Sequence, residues 1–402
     1  MPEVKSRIDR FLIAILINAL LLLLTAPVPA QTRRPLRTAA ATHLNSTRAT
    51  VSARAPSNQP PTPAQCPFNI PVVSLPPGSG MNGFQWSAPI LPMGDPCVSG
   101  IVVDKTDEQT WYVMGQNGLY VTHNGGVAWI HPLAEKVYGQ ALVTSPPDSK
   151  VAYAGAGQTL YRTGDKGNHW RMMHKFDEPI ASIFTADGAK LYVGVGWGPS
   201  PKPNGIYISP NSGIDWKFSS FGGGQQGLIC WDIERDQKDG TLYVATEIFN
   251  HPQPYHPPFY RSQNDGQTWK DVAGTLPWHV IAEQIRPADS YVYALTEGLG
   301  LYGSANHGDT WIASPGSIDR PSDSLLMDSK LPKRLFGGAQ KFGNLNGGAF
   351  MSINGGNSFK PIGLQGVTVG GMSLNANSTR LYAAAYASGV YVSTVPPMIV
   401  PN

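Results

Sequence analysis

Apolar positions along this chain come in short paired runs rather than in helical stripes. Trp111–Val113 is followed by Leu119–Val121, Val151–Tyr153 by Leu160–Arg162, and Leu191–Val193 by Ile206–Ile208. The same pairing recurs at Leu242–Val244 with Phe259–Arg261, Tyr291–Tyr293 with Leu301–Gly303, Leu335–Gly337 with Ala349–Met351, and Leu381–Ala383 with Val390–Val392. Runs of three to five β-branched and aromatic residues bounded by Gly, Asn and Asp read as strands. A further apolar run precedes each pair: Gly100–Val103, Ala141–Thr144, Ala181–Phe184, Leu228–Ile233, Val280–Glu283, Ser324–Met327 and Val367–Met372.

A turn box follows six of the seven pairs, beginning at Thr122, Thr163, Ser209, Ser262, Ser304 and Ser352. In the box 262–269, Asn264 is expected to fold its side chain onto the backbone two residues on. Gly266 supplies a positive φ, and Trp269 starts a returning strand with its indole buried. The pattern predicts an all-β fold: a single seven-bladed propeller of four-stranded antiparallel blades, each box joining the third and fourth strands. The last pair has no box, whereas Gly83–Ile90 reads as a fourth strand without predecessors. Joining the two closes the ring and removes its open edges.

The boxes resemble the Asp-box repeat, S/T-x-D/N-x-G-x-T/S-W/F, over residues 83–395. That repeat occurs in sialidase propellers, xyloglucan-hydrolysing glycosidases, sortilin-type receptors and photosystem II assembly factors. The resemblance implies the fold and leaves the function open, since these families use one scaffold differently. Five of the six boxes carry Asn where a carboxylate is allowed and only Asp165 is acidic, so the boxes are expected to be structural.

Outside the repeats, residues 1–30 read as a signal peptide. Lys5, Arg7 and Arg10 precede an apolar run over Phe11–Ala26, and Val28–Ala30 offers a cleavage site, an uncleaved anchor being the alternative. Residues 31–82 form a Pro/Ala/Thr-rich linker and entry coil, and residues 396–402 a tail. In an exported chain Cys66 and Cys97 are either a disulfide or two separate thiols, and Cys230 is a buried small hydrophobe. The net charge of +3 resides in the leader and linker: residues 1–65 hold eight Lys/Arg and two Asp/Glu of the 30 and 27 in the chain. The near-neutral remainder argues against nucleic acid as a partner. A monomer is expected, with membrane contact only if the N-terminal segment stays uncleaved.

Candidate chemistry falls on the loops between second and third strands, opposite the boxes. Three are insertions, over residues 196–204, 248–258 and 338–347. Trp197, Phe249, Asn250, His251, Tyr255, His256, Gln340 and Asn344 supply stacking and hydrogen-bonding groups suited to a glycan or protein ligand. Glu247 and Glu297 end the second strands of adjacent units and form a candidate pair for glycoside hydrolysis. Asp232 and Glu283, on first strands, are further candidates for a buried acid or base. Sialidase activity is not expected: the repeats are Arg-poor, Arg286 lies in a loop without the family's context, and Arg162 and Arg261 precede boxes. His251, His256 and His279 have no metal-ligand spacing, and no cofactor or metal is expected. The leading expectation is an exported, non-catalytic binding protein. A glycoside hydrolase using Glu247 and Glu297 comes second, and an assembly factor for a membrane complex third.

Overall fold

A computed structural model describes Cys66 and residues 72–397, apart from 79, 147, 197–203, 223–226, 249–256, 278, 298, 320 and 343–344. Strands make up its regular structure, with one short 3-10 turn at Pro92–Gly94. Residues 98–133, 228–271, 280–313 and 321–363 each form a four-stranded sheet whose strands neighbour one another in chain order. Their pairings are antiparallel throughout.

Hydrogen bonding does not divide the chain into seven separate four-stranded sheets. The strands of 137–175 and of 180–220 are two such runs, fused into one eight-stranded sheet by a single parallel bridge between Gln140 and Ser182. A register shift between Val137 and Leu142 bends the strand Val137–Thr144 and brings Gln140 to its neighbour. Residues 368–394 form three strands only.

First strands contact one another in a closed cycle. The order is Val98–Val103, Val137–Thr144, Ile180–Phe184, Leu228–Arg235, Val280–Arg286, Pro321–Met327, Thr368–Leu374 and back to Val98–Val103. This is an all-β propeller of antiparallel sheets. Second strands, sandwiched between neighbouring sheets, bury both faces: every residue of Trp111–Gly115, Ala152–Ala156 and Leu191–Val195 is buried. That is why they read as continuous apolar runs instead of alternating ones. Fourth strands such as Lys270–Asp271 and Ile312–Ala313 are short and exposed, which suits an outer edge.

The boxes are hydrogen-bonded turns. In each, the leading hydroxyl accepts the glycine N–H four residues on, at 2.8–3.0 Å from Gly126, Gly167, Gly213, Gly266, Gly308 and Gly356. The Asn or Asp Oδ1 accepts an N–H four residues on rather than two; for Asn264 the donor is Thr268, at 2.9 Å. Asp165 accepts from His169 at the same distance, so amide and carboxylate serve alike. Box tryptophans then pack on the preceding sheet: Trp170 on Tyr112, Trp216 on Phe176, Trp269 on Phe221 and Trp311 on Phe259, with centroids 5.0–6.4 Å apart.

Residues 84–90 run antiparallel to the last strand, Gly389–Thr394, through bridges of Trp86 to Ser393 and Ile90 to Val390. Between the two bridges the register slips by one residue, a bulge that divides the ladder. Cys66 and Cys97 are disulfide-bonded, with Cα atoms 5.3 Å apart, and both are buried beside Ala387. Closing a loop of 31 residues restricts the unfolded chain. Cys97→Ala is expected to cost about 3 kcal/mol in urea unfolding. Dithiothreitol should destabilise the native protein equally and leave the variant unchanged.

Candidate functional site

The site is built by two bulges. In the strand Leu228–Arg235, Cys230 pairs with Thr246 and Asp232 with Ala245, so Trp231 is the extra residue. Its indole N–H donates to Glu247 Oε2 at the end of the second strand. The next sheet bulges between Val280 and Ala282, and His279 sits just before it. The Glu297 N–H donates to the His279 carbonyl at 3.3 Å, which fixes the two chain segments side by side.

His279 Nε2 then lies 3.5 Å from Glu297 Oε2 and 4.0 Å from Glu247 Oε2. The two glutamates predicted as a pair therefore flank one imidazole. The environments differ: the His279 side chain is 5% exposed, that of Glu247 27% and that of Glu297 46%. Burial pushes the Glu247 carboxyl above the ordinary range. His279 and the Trp231 hydrogen bond oppose that push, and Glu297 adds to it. Two carboxyls, an imidazole and an indole edge can hydrogen-bond a polyhydroxylated ligand, and unequal carboxyls suit proton transfer.

Asp232 is placed otherwise. Its Oδ2 accepts the Glu283 N–H at 3.1 Å and its Oδ1 the Ile233 N–H at 3.0 Å, and no described hydrogen bond or ion pair joins it to Glu247 or Glu297. It belongs to a buried acidic group with Glu234 and Glu283. Glu283 is fully buried, and neither carboxyl oxygen has a hydrogen-bond partner among the described residues. Desolvation raises the Asp232 carboxyl to about 7. Desolvation and then the charge of Asp232 raise Glu234 to about 8 and Glu283 well above its ordinary value.

Trp197, Phe249, Asn250, His251, Tyr255, His256 and Asn344 lie outside the described residues. Gln340 is half-buried in the strand Leu335–Phe342 and not in a loop. The expected insertion over 338–347 is the end of a hairpin, in which Ala339 pairs with Gly348 and Lys341 with Asn346. Arg286 ends a strand instead of lying in a loop, with its guanidinium held by both Asp289 oxygens and by Tyr293. That engagement leaves no fork for a substrate carboxylate. Cys230 is buried, and desolvation pushes its thiol up to about 12, so it is inert at neutral pH. The sequence reading missed Trp231 as a site residue and considered His279 only as a metal ligand.

No family model matches this chain. A xyloglucanase of Paenibacillus sp is 27% identical over 176 residues, taking in 43% of this chain and 14% of that protein. An oligoxyloglucan-reducing end-specific xyloglucanase of Emericella nidulans is 26% identical over 168 residues, 39% of this chain and 20% of its own. The chain thus spans a small part of the curated relatives it matches. In structure, YCF48 bound to D1 peptide is similar over 82% of this chain and 100% of its own, with a TM-score of 0.54 and 13% identity. The structural likeness agrees with the propeller fold, and the relatives in sequence are xyloglucanases at low identity.

Proposed function

We propose that this chain is an exported, monomeric propeller of seven units that binds a polysaccharide of the xyloglucan type through the face opposite the turn boxes. The closed cycle of first strands supports the count, with 84–90 as the outer strand of the last unit. The observation that carries the binding reading is the meeting of Trp231, Glu247, His279 and Glu297 at the strand ends of two adjacent sheets. Carboxylates and imidazole take sugar hydroxyls while aromatic surface takes the ring faces. Trp197, Phe249, Asn250, His251, Tyr255, His256, Gln340 and Asn344 are proposed to extend this surface.

Isothermal titration with xyloglucan oligosaccharides should show saturable binding, weakened at least tenfold by His279→Ala together with Glu247→Gln. Wild-type protein that binds no member of a panel of plant and cell-wall polysaccharides sinks the proposal. A second reading, glycoside hydrolysis, is favoured by the raised Glu247 carboxyl facing the more exposed Glu297 across His279. Release of reducing ends, lowered by at least about 1,000-fold in Glu247→Gln, establishes it. Turnover indistinguishable from that of the double Glu→Gln variant removes it and leaves binding standing.

A further inference from the structure

On the box face of the same two sheets, two turns meet in a manner that the binding reading does not use. The turn between strands Leu228–Arg235 and Leu242–Ile248 is closed by the Asp236 N–H to the Thr241 carbonyl, at 2.8 Å, and the Gly240 N–H to the Asp236 carbonyl, at 2.9 Å. Against it stands the next sheet's box, whose fourth residue, His307, takes φ +56°. One ligand atom each from Asp236, Asp239 and His307 lie within 4.8 Å of one another.

Asp236 makes this cluster more than a surface accumulation of charge. It is fully buried, its Oδ1 accepts the Lys238 N–H at 2.8 Å, and its Oδ2 has no hydrogen-bond partner among the described residues. Leaving a buried carboxylate oxygen unsatisfied is costly, and natural structures seldom do so without a ligand or ion. Asp239 offers its Oδ2 3.8 Å from His307 Nδ1 while its Oδ1 is held by the Thr241 N–H at 2.9 Å. Among the cations nearby, Arg261 donates to the His307 carbonyl at 2.7 Å and sits 3.2 Å from Asp309, Arg235 packs against Gly240, and the charge of Lys238 acts on Asp239.

We propose that Asp236, Asp239 and His307 form a binding site for a divalent cation of the zinc class, which clips adjacent sheets together at the box face. Two carboxylates and one imidazole are a zinc-type donor set, whereas calcium takes six to eight oxygens. Ligation needs His307 Nδ1 unprotonated. The Tyr243 hydroxyl, now 3.2 Å from that nitrogen, turns onto a carboxylate oxygen and supplies the outer hydrogen bond such sites use.

The test uses the full chain stripped with EDTA and titrated with Zn²⁺ alone. One equivalent should bind, and Zn²⁺ at a hundred times its Kd should raise Tm by about 4 °C. His307→Asn is the informative variant, because Asn tolerates the left-handed backbone and keeps the turn intact. It should fold with nearly the wild-type Tm and lose the Zn²⁺ response, as should Asp239→Asn. An equal Tm rise in His307→Asn, a larger response to Ca²⁺ than to Zn²⁺, or no stoichiometric binding by the wild type overturns the proposal.

Discussion

Raising the pH from 5 to 8 is expected to lower the unfolding free energy by a few kcal/mol, and Glu283→Gln should remove the part of that loss that Glu283 contributes. The source is the buried acidic group on adjacent first strands. Desolvation carries Asp232 from 3.8 to about 7, and desolvation followed by repulsion from Asp232 carries Glu234 from 4.5 to about 8 and Glu283 well above 4.5. Unfolding releases these groups to ordinary carboxylate behaviour near pH 4. Between about pH 4 and pH 8 the native protein thus binds more protons than the unfolded chain, so stability falls as pH rises. Below that window both states are protonated and the native state keeps its full stability. Guanidinium unfolding at pH 5, 6.5 and 8 gives the slope directly. Glu283→Gln keeps the side-chain shape and removes one titrating carboxyl, while Asp232 and Glu234 keep the desolvation that raises them, so the variant's slope should be shallower but not flat. A flat wild-type profile, or a variant with the wild-type slope, contradicts this account.

The same residues show what was legible in the sequence. Turn chemistry is local: a hydroxyl, Asn or Asp, Gly and an aromatic within eight residues specify a box, and the structure forms all six. In the folded box two consecutive residues, Asp265 and Gly266, take positive φ, and Asn264 accepts the N–H that lies beyond them. Glu247 and Glu297 were found because they end equivalent strands. That they share His279, and that Trp231 joins them, depends on two bulges that leave no periodic trace. The stretch 338–347, expected as an inserted loop, is strand at both ends. Gly347 and Gly348 take positive φ within a paired strand. The contact of Asp239 with His307 spans two sheets, and only the packing of one sheet on the next brings such turns together.

Trp86→Ala is expected to destabilise the propeller by about 4 kcal/mol, with the loss concentrated at the ring closure. The indole is 2% exposed and packs in one cluster with Phe84 and Phe336. Its N–H donates to the Ile362 carbonyl at 2.8 Å, and its backbone bridges Ser393. One residue therefore ties the N-terminal segment to the sheet of 321–363 through its side chain and to the last strand through its backbone. Truncation leaves a large cavity and a buried carbonyl without that donor, and both terms act against closure. Amide exchange separates closure from a general loss of stability. The Val390 N–H, bonded to the Ile90 carbonyl at 2.9 Å, and the Val392 N–H, bonded to Ser87 Oγ at 3.0 Å, should lose protection first. Amides of Leu191–Val195, in a sheet on another part of the ring, should follow the global transition. If exchange accelerates uniformly, or the cost stays below about 1 kcal/mol, then residues 84–90 only decorate a ring that the three strands of 368–394 already complete.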